Sequence, residues 1–416
     1  MSVDAAQEAL EPPSDGEGNA GAIAAPPRSV PAGPRGTSAR RLDRIAPALT
    51  RLRWPFAVYI SSRALLVLVA VVNGGLRNWS VKSELANWDG AWYRRLADLG
   101  YPDHVAHIQT TLGFFPLYPM LMWLVQHTLI CSVFLAGVLV SGVGGFIATV
   151  VVQRLSAGWW GEEASRRAVL FFCFFPGSVV FSMVYSEGVL IPLVAGAILA
   201  LDRRRWLLAG ILAGFATAVG PTALAIIPAC AVAALLELRR RGWLDREALK
   251  ALCAPVLAPA GVIAFAAFLW TWTGSPFASY YAQHHEWSEK TNPLALETLV
   301  VRLVKSITFS HGFHINLNYV SGLLGAVFLI VAVVLLVKTR PRVSAPAVVW
   351  TIVIGLLVVT SENVPPNPRM LITAFPAVLV VAYRLKGRAF AWLMGVSVVL
   401  LVAMSAATFV GVSLRP

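Results

Sequence analysis

The stretch RRRWLLAGILAGFATAVGPTALAIIPACAVAALLELRRR, residues 203–241, decides which fold this sequence can adopt. Its apolar run lies between two arginine triplets and is far longer than the roughly 20 residues that one membrane-spanning helix needs. Gly220 and Pro221 interrupt the run near its middle, where a helix would break. The stretch therefore predicts a hairpin of two short transmembrane helices with both arginine triplets on the same side of the membrane.

The composition of the whole chain extends this interpretation. Of its 416 residues, 57% are hydrophobic and 13% are charged, and the mean hydropathy is +0.69. Such values are typical of a polytopic membrane protein. The net charge of +13 comes from basic residues that cluster in short turns between apolar spans. This is the positive-inside pattern, and it argues against a nucleic-acid-binding surface, so we expect a lipid bilayer and no nucleic acid as partner.

The basic turns also predict the topology. Turns at 154–167, 338–342 and 384–388 resemble the two arginine triplets, and all of them are predicted to be cytoplasmic. Residues 1–45 are rich in Pro, Gly, Ala and Ser and are predicted to form a disordered cytoplasmic tail. The polytopic membrane domain then comprises residues 46–416 and belongs in the cell (plasma) membrane, with its N-terminus in the cytoplasm.

We predict an all-α integral membrane protein, a polytopic bundle of about eleven transmembrane helices. The predicted spans are 55–73, 131–153, 168–185, 187–201, 206–220, 222–237, 251–270, 319–337, 345–360, 370–383 and 390–411. Two long segments, about 74–130 and 271–318, remain on the outer side. The run 113–127 is apolar but short and contains two prolines, so the first outer segment is predicted to carry interfacial helices.

Chemistry-bearing residues crowd together in NWDGAWYRRLADLGYP, residues 87–102, followed by GFFPLYP at 113–119. If 88–99 is helical, Arg95 lies on the wetter side and Asp89 lies in the first turn. Four apolar residues would share the opposite face: Trp88, Trp92, Leu96 and Leu99. Asp89 can be a catalytic group or only a helix cap that favours the helix dipole, and the local pattern leaves both open.

The order of these motifs resembles that of a known family. TrpAsp after the first span, then TrpTyr, LeuAla and GlyTyr, then PhePhePro-x-TyrPro, is similar to the first outer loop of the PIG-V family of mannosyltransferases. The resemblance continues through FFPGSVVFSMVYSEGVL (174–190), SPFASYYAQHHEWS (275–288) and PRMLITAFP (368–376). It thus covers, in the same order, nearly the whole chain after Arg53.

The resemblance implies both a fold and an activity. The family consists of GT-C glycosyltransferases that use polyprenyl-phosphate mannose, so a GT-C-like fold is expected. It implies an inverting enzyme that moves mannose from this donor to a glycan or glycolipid acceptor on the outer face of the membrane. One departure is that the family's Arg-Pro pair near the second hairpin bend is Gly220-Pro221 here.

The resemblance also assigns roles to individual residues. Asp89 would be the general base, and Glu187 would bind sugar hydroxyls unless it is only a first-turn helix residue. Three arginines would hold the leaving phosphate, although arginines at a membrane surface can equally contact lipid headgroups. These are Arg94, Arg95 and Arg369. The remaining substrate-binding candidates are Trp88, Trp92, Tyr93, Gln283 and Trp287.

No metal or other cofactor is expected. The pairs His104 with His107 and His311 with His314 have the spacing of a metal site, but no carboxylate or cysteine completes either in the sequence. Arg63 lies too deep in the first span to be without a partner, and we expect it to tie helices together through backbone carbonyls.

Two other classes of function remain open. The chain can be a non-catalytic subunit that positions a partner enzyme, a possibility that the missing arginine before Pro221 supports. A lipid or solute transporter is the other alternative, but it would need ionisable residues along a transmembrane path, and most mid-span positions here are apolar.

Overall fold

The computed structural model describes residues 37–78, 80–104, 108–307, 315–340, 342–409 and 414, with side chains from Leu52 onward apart from Ser83. Within these residues, all regular secondary structure is helical and there is no β-strand. An isolated antiparallel bridge joins Thr291 to Ser361. The described part of the chain therefore confirms the predicted all-α class.

The chain divides into two units, Met1–Thr50 and Arg51–Pro416. The whole predicted tail, residues 1–45, lies in the first unit, and its residues 1–36 are outside the described residues. From Thr37 the backbone is helical, so the predicted boundary at residue 45 falls inside helix α1, Thr37–Arg77.

Many short helices interrupt the longer ones in the second unit. Those before residue 250 are α2 (Val81–Leu85), α3 (Asp89–Leu99), α4 (Leu117–Leu129), α5 (Val133–Trp160), α6 (Glu162–Phe174), α7 (Glu187–Asp202), α8 (Trp206–Thr217), α9 (Ile226–Arg241) and α10 (Arg246–Leu249). The later ones are α11 (Cys253–Leu257), α12 (Ala260–Thr273), α13 (Ala278–Tyr281), α14 (Ala295–Ser306), α15 (Leu317–Lys338), α16 (Ala345–Thr360), α17 (Pro368–Thr373), α18 (Phe375–Arg384) and α19 (Gly387–Phe409).

Six helical stretches in the described residues are long and apolar enough to cross a membrane. They are Leu52–Arg77, Val133–Trp160, Pro221–Arg241, Arg246–Thr273, Leu317–Lys338 and Gly387–Phe409. Helices α8, α16 and α18 are apolar but shorter. The chain is thus a multi-pass membrane protein, while the count of eleven spans stays a prediction.

Several predicted spans are not continuous α-helices, and two of them illustrate how proline interrupts a helix. In the predicted span 168–185, α6 ends at Phe174 and the chain continues as a 3₁₀ helix, Pro176–Phe181. The predicted span 370–383 is broken at Ala374, just before Pro376. A proline lacks the backbone donor and clashes with the preceding turn, so the helix restarts at these positions. The hydropathy pattern does not reveal such breaks.

Close backbone contact between α5 and α7 forms the centre of the bundle. A Cβ added to Gly144 would lie 1.9 Å from the carbonyl oxygen of Gly188, and one on Gly188 would lie 2.6 Å from the Cα of Ser141. Ser141 Oγ donates to the Tyr185 carbonyl at 2.9 Å. Small residues allow this approach, as in many membrane helix pairs. The contact places the start of α7, which carries Glu187, against α5.

Arg63 ties α1 to the 3₁₀ helix Pro176–Phe181, which we call the broken helix. Such a role is expected from the depth of Arg63 in the first span. Its Nη1 donates to the Ser178 carbonyl at 2.5 Å and to Ser182 Oγ at 3.1 Å. Its Nη2 donates to the Cys173 carbonyl at 3.0 Å. The guanidinium also lies 5.2 Å from the ring centroid of Tyr59. Arg63 thereby donates to the carbonyls of Cys173 and Ser178, at a break where the backbone does not continue as a regular α-helix.

Replacing Arg63 by Leu should therefore lower the free energy of unfolding by about 2–4 kcal/mol, because the buried Ser178 carbonyl and the Ser182 hydroxyl lose their charged donor. Unfolding of the purified protein in mixed micelles, followed by circular dichroism, measures this loss. Arg53→Leu, at an exposed position of the same helix, is the matched control and should change the value by about 0.5 kcal/mol or less. Equal losses for the two variants would contradict the assignment.

Glu84 in α2 is a buried acid that sequence analysis does not single out. Glu84 is 0% exposed, and among the described residues neither of its carboxylate oxygens has a hydrogen-bond partner. Burial raises the pKa of Glu84, and the charge of Arg77 lowers it in part. The net direction is upward, so folding favours the protonated carboxyl.

The stability that Glu84 provides should consequently depend on pH. Because its folded pKa is above that of the unfolded chain, its contribution is complete below the unfolded pKa and is lost as the pH rises through the folded pKa. Glu84→Gln should match the wild type at low pH and become the more stable of the two as the pH rises. Unfolding midpoints measured across pH test this, with the exposed Glu297→Gln as control. A Glu84→Gln difference that shrinks with rising pH would overturn the prediction.

Candidate active site

Three charged residues from distant parts of the chain meet at one place, which we call the acid–arginine cluster: Asp89, Glu187 and Arg369. Arg369 Nη1 donates to Asp89 Oδ2 at 2.5 Å, and its Nε donates to Glu187 Oε1 at 2.5 Å. The side-chain exposures are 27% for Asp89, 18% for Arg369 and 5% for Glu187. Asp89 is thus the most accessible carboxylate of the cluster and Glu187 the most buried.

Helix N-termini position the two carboxylates. Asp89 is the first residue of α3 and Glu187 is the first residue of α7. The positive ends of both helix dipoles favour negative charge at these positions. Arg369 lies in the first turn of α17, whose start is capped by Asn367 through its side-chain oxygen and the Met370 amide, 3.0 Å apart.

Aromatic rings surround the charges. The guanidinium of Arg369 lies 4.9 Å from the ring centroid of Tyr185, a favourable cation–π distance. Tyr93 OH donates to Ser186 Oγ at 2.9 Å. Burial, and next the charges of Asp89 and Glu187, raise the pKa of Tyr93, so this phenol is neutral.

Arg369 keeps its positive charge in this partly buried place. Burial acts to lower the pKa of Arg369, but the carboxylates of Glu187 and Asp89 oppose it, and the result is well above the usual value. Two carboxylates and one guanidinium give the cluster a net charge of about −1 when all are ionised. One oxygen, Glu187 Oε2, is buried and has no hydrogen-bond partner in the part of the chain that the structure describes. The cluster can therefore accept a further hydrogen bond.

The broken helix Pro176–Phe181 packs against the backbone of Pro368 and Arg369. A Cβ on Gly177 would lie 1.9 Å from the Pro368 carbonyl oxygen and 3.2 Å from the Arg369 amide nitrogen. Only glycine permits this backbone contact. The next residue, Ser178, is the one whose carbonyl Arg63 binds. A continuous set of contacts therefore runs from α1 through the broken helix to Arg369.

A second group of side chains, the aromatic cluster, borders the first: Trp92, Tyr93, Phe114 and Trp287. Ring centroids are 5.0 Å apart for Trp92 and Trp287, 5.4 Å for Phe114 and Trp287, and 4.9 Å for Tyr93 and Phe114. All three pairs pack edge to face, a favourable aromatic geometry. Tyr93 links the two groups, because its hydroxyl donates to Ser186, the residue before Glu187.

Hydrogen bonds tie the second outer segment to the first. Gln283 Nε2 donates to the Gly113 carbonyl at 2.7 Å, and Trp287 Nε1 donates to the Thr110 carbonyl at 3.2 Å. Glu286 Oε2 accepts from the Thr110 amide at 2.8 Å and from its hydroxyl at 2.6 Å. Gln283 and Trp287, predicted as substrate-binding residues, thus use these polar groups to join two loops.

The remaining predicted residues lie around these groups. Trp88 Nε1 donates to the Thr408 carbonyl of α19 at 3.3 Å. Arg94 is half-buried, and its Nε has no hydrogen-bond partner within the described ranges. Arg95 is exposed, with its guanidinium 5.9 Å from the ring of Trp92. Among the described residues, neither arginine forms an ion pair, so the structure brings only Arg369 of the three to the carboxylates.

The predicted apolar face of α3 is partly wrong. Its buried residues are Gly90, Tyr93, Leu96 and Ala97. Leu99, which was expected on the same face as Leu96, is 75% exposed. The reason is that α3 packs on protein: a Cβ on Gly90 would lie 3.2 Å from the Val184 carbonyl oxygen. This contact turns Tyr93 inward and settles which side of α3 is buried.

The histidine pairs cannot be judged as pairs, because His107, His311 and His314 lie outside the described residues. His104 contacts Asp103 at 2.7 Å on the surface, and the interaction with His104 lowers the pKa of Asp103. A search of the described residues finds no group of three or more His, Cys, Asp or Glu that could hold a metal ion.

Sequence reasoning missed Tyr185, Phe114 and Thr110. Tyr185 directly precedes the Ser186-Glu187 pair, and Phe114 lies in the GFFP motif. Their positions in these motifs could have identified both as site residues. Thr110 has no such signal, because its role comes from contacts with residues more than 170 positions away.

Comparison with known proteins gives a family and several distant structures. The family model described as Mannosyltransferase (PIG-V) matches residues 57–285. Comparison with curated protein sequences gives no match. ArnT from Cupriavidus metallidurans in the apo state is 17% identical with a TM-score of 0.47, covering 75% of this chain and 56% of that one. The Archaeoglobus fulgidus oligosaccharyltransferase in the apo form is 14% identical with a TM-score of 0.43, covering 85% and 56%.

A third structure, ArnT from Cupriavidus metallidurans bound to undecaprenyl phosphate, is 16% identical with a TM-score of 0.46, covering 81% of this chain and 63% of that one. The chain thus spans little more than half the length of the first two structures that it matches, 56% of each.

The fold and site define an all-helical, multi-pass membrane protein with charged residues gathered at helix N-termini. The family match covers more than half of the chain and includes Asp89, Glu187 and Gln283. The chain belongs to the Mannosyltransferase (PIG-V) family. The resemblance that the motifs indicate is thereby confirmed.

A double-mutant cycle should detect the buried pair of Glu187 with Arg369. Removing one partner leaves the other charge uncompensated, so Glu187→Gln and Arg369→Gln should show a coupling of about 1–3 kcal/mol in the free energy of unfolding. The matched control is the surface pair of Lys250 with Glu247, whose side chains are 62% and 61% exposed. That pair should couple by about 0.5 kcal/mol or less. Additive effects at Glu187 and Arg369 would contradict the described contact.

Proposed function

We propose that this protein is an inverting, GT-C-like mannosyltransferase. It moves mannose from polyprenyl-phosphate mannose to a lipid-linked or secreted glycan acceptor on the outer face of the plasma membrane, with its N-terminus in the cytoplasm. The observation that carries the proposal is the acid–arginine cluster. There, a member of this family has an accessible carboxylate, Asp89, next to a cation, Arg369.

The reaction needs a base for the acceptor. An acceptor hydroxyl oxygen attacks the anomeric carbon of mannose, the bond from that carbon to the phosphate oxygen breaks, and polyprenyl phosphate leaves with the bonding electrons. The hydroxyl proton passes to a carboxylate within hydrogen-bond reach. Asp89 is the base in this proposal, since it is the more exposed of the two carboxylates and uses Oδ2 for Arg369.

Arg369 has a divided role in this scheme. Its Nε and Nη1 hold Glu187 and Asp89, so it orients the two carboxylates and limits their repulsion. The second N–H of Nη1 and both N–H groups of Nη2 remain to reach a phosphate oxygen. Arg94 and Arg95, five and six residues after Asp89 in α3, stay the candidates for the main phosphate contacts, because a guanidinium binds phosphate oxygens in a fork.

Glu187 and the aromatic cluster would bind the sugar. Glu187 Oε2 is buried and lacks a donor, and a sugar hydroxyl can supply one. The faces of Trp92 and Trp287 suit the apolar side of a sugar ring, while Tyr93 and Trp88 shape the site around Asp89. Gln283 would act by holding the second outer segment over the first. The proposal needs no metal or other cofactor.

Transfer of labelled sugar from synthetic polyprenyl-phosphate mannose tests this function in membranes that contain the full chain, with chelator present throughout. Wild type should transfer, and Asp89→Asn should lower the rate by about a hundredfold or more, because the amide cannot take the proton. The control is Asp98→Asn, an exposed position on the same helix, which should transfer as wild type does.

Each other outcome contradicts a part of the proposal. Equal transfer by wild type and Asp89→Asn would show that Asp89 only caps α3. Loss of wild-type transfer in chelator, restored by added Mg²⁺ or Mn²⁺, would overturn the metal-free reaction. If the wild-type chain never transfers, although cells without it still lack a mannolipid, the chain would be a partner subunit of another enzyme.

A further inference from the structure

Six arginines gather where two turns of the chain meet, far from the acid–arginine cluster. They are arginines 203–205, between α7 and α8, and arginines 239–241, at the end of α9. All six are exposed. We call this group the arginine patch. Helix α7 has the acid–arginine cluster at its first residue and the patch just after its last, so about 24 Å of helix separates the two.

A buried carboxylate organises the patch. Glu237 is 6% exposed and accepts from Arg240 Nη2 at 2.9 Å and from Arg241 Nε at 2.7 Å. Arg204 Nε, from the other turn, lies 3.3 Å from Glu237 Oε2. Arg204 has a φ of 54°, in the left-handed region that a side chain other than glycine rarely adopts. One carboxylate thus holds three guanidinium groups in place and joins the two turns.

The nearby acids do not neutralise the rest of the patch. Asp202 accepts from Trp159 Nε1 at 3.0 Å, Asp245 caps α10, and Glu247 pairs with Lys250. Arg203, Arg205 and Arg239 form no ion pair in the part of the chain that the structure describes. Within the described residues, the patch therefore presents three guanidinium groups without an ion pair, next to the three that Glu237 holds.

The surroundings of the patch belong to a membrane surface. Two candidate spans, Pro221–Arg241 and Arg246–Thr273, end on either side of a short loop next to the patch. At the tip of that loop, Trp243 is 59% exposed and Leu244 is 93% exposed. An exposed Trp–Leu pair beside arginines at the end of a span lies at the depth of lipid headgroups, where Trp is enriched.

We propose that the arginine patch is a binding site for the headgroup of an acidic phospholipid, which docks with its phosphate on the guanidinium groups. Arginine forks match the geometry of a phosphodiester, and basic residues next to a membrane attract anionic lipids. Glu237 ties the two turns together through Arg204, Arg240 and Arg241, so the backbone that carries Arg203, Arg205 and Arg239 is in place before the lipid binds. Trp243 and Leu244 contact the acyl region of the same lipid.

Lipid binding by the purified full chain in detergent tests this proposal, with phosphatidylglycerol as the acidic probe and phosphatidylcholine as the neutral one. Native mass spectrometry measures the fraction of protein that retains lipid at each lipid concentration. Wild type should retain phosphatidylglycerol at lower concentration than phosphatidylcholine, and added salt should reduce the difference because the attraction is electrostatic.

The test variant is Arg203→Gln with Arg205→Gln and Arg239→Gln, which spares the three arginines that Glu237 binds. Its affinity for phosphatidylglycerol should fall at least tenfold, since each basic residue at an anionic surface contributes about fivefold. The matched control removes three charges from another turn: Arg384→Gln with Lys386→Gln and Arg388→Gln, all exposed. Its affinity should remain within about twofold of wild type.

Three results would overturn the proposal. The test variant retains phosphatidylglycerol as wild type does, or the control loses as much affinity as the test variant. The third is that soluble glycerol phosphate binds the patch as tightly as phosphatidylglycerol, which would mean a free phosphate site. A second variant, Trp243→Ala with Leu244→Ala, should weaken phosphatidylglycerol binding and leave glycerol phosphate binding unchanged.

Discussion

A charge that is withdrawn from water must find its partners inside the protein, and the arrangement of this chain follows from that constraint at Arg369. Its guanidinium joins Asp89, 280 residues earlier, to Glu187, 182 residues earlier. The starts of α3, α7 and α17 must therefore lie together. An ion pair that is partly buried costs desolvation, so it is maintained only when packing presents both partners in good geometry.

Breaks in the helices supply that geometry. A regular helix through 168–185 would have no turn to place against Arg369, whereas the 3₁₀ segment Pro176–Phe181 presents Gly177 to the backbone of Pro368. Irregular backbone in a membrane protein is tolerated where it is buried in protein and its carbonyls are bonded. Arg63 meets this requirement by donating to the carbonyls of Cys173 and Ser178. Arginine thus has two roles here: Arg63 stabilises the 3₁₀ segment under the site, and Arg369 is part of the site itself.

Sequence patterns located the charged residues well and their contacts less well. Asp89, Glu187 and Arg369 stood out because each is an ionisable residue at the edge of an apolar run, and Arg63 because it lies inside one. The buried face of α3 was partly wrong, because helical periodicity names a face but not the neighbour, here Val184, that covers it. The hydrogen bonds of Gln283 and Trp287 to the first outer segment were likewise beyond local pattern.

Composition, hydropathy and the spacing of basic turns by themselves determined that this is a helical, multi-pass membrane protein, because the cost of placing each residue in lipid is local and adds along the chain. The ordered motifs also indicated the family. Only the tertiary structure decided that Arg369 pairs with both carboxylates while Arg94 and Arg95 do not. Several arginines are equivalent in sequence, and which one reaches Asp89 depends on where the prolines break the helices and which helix ends the packing brings together.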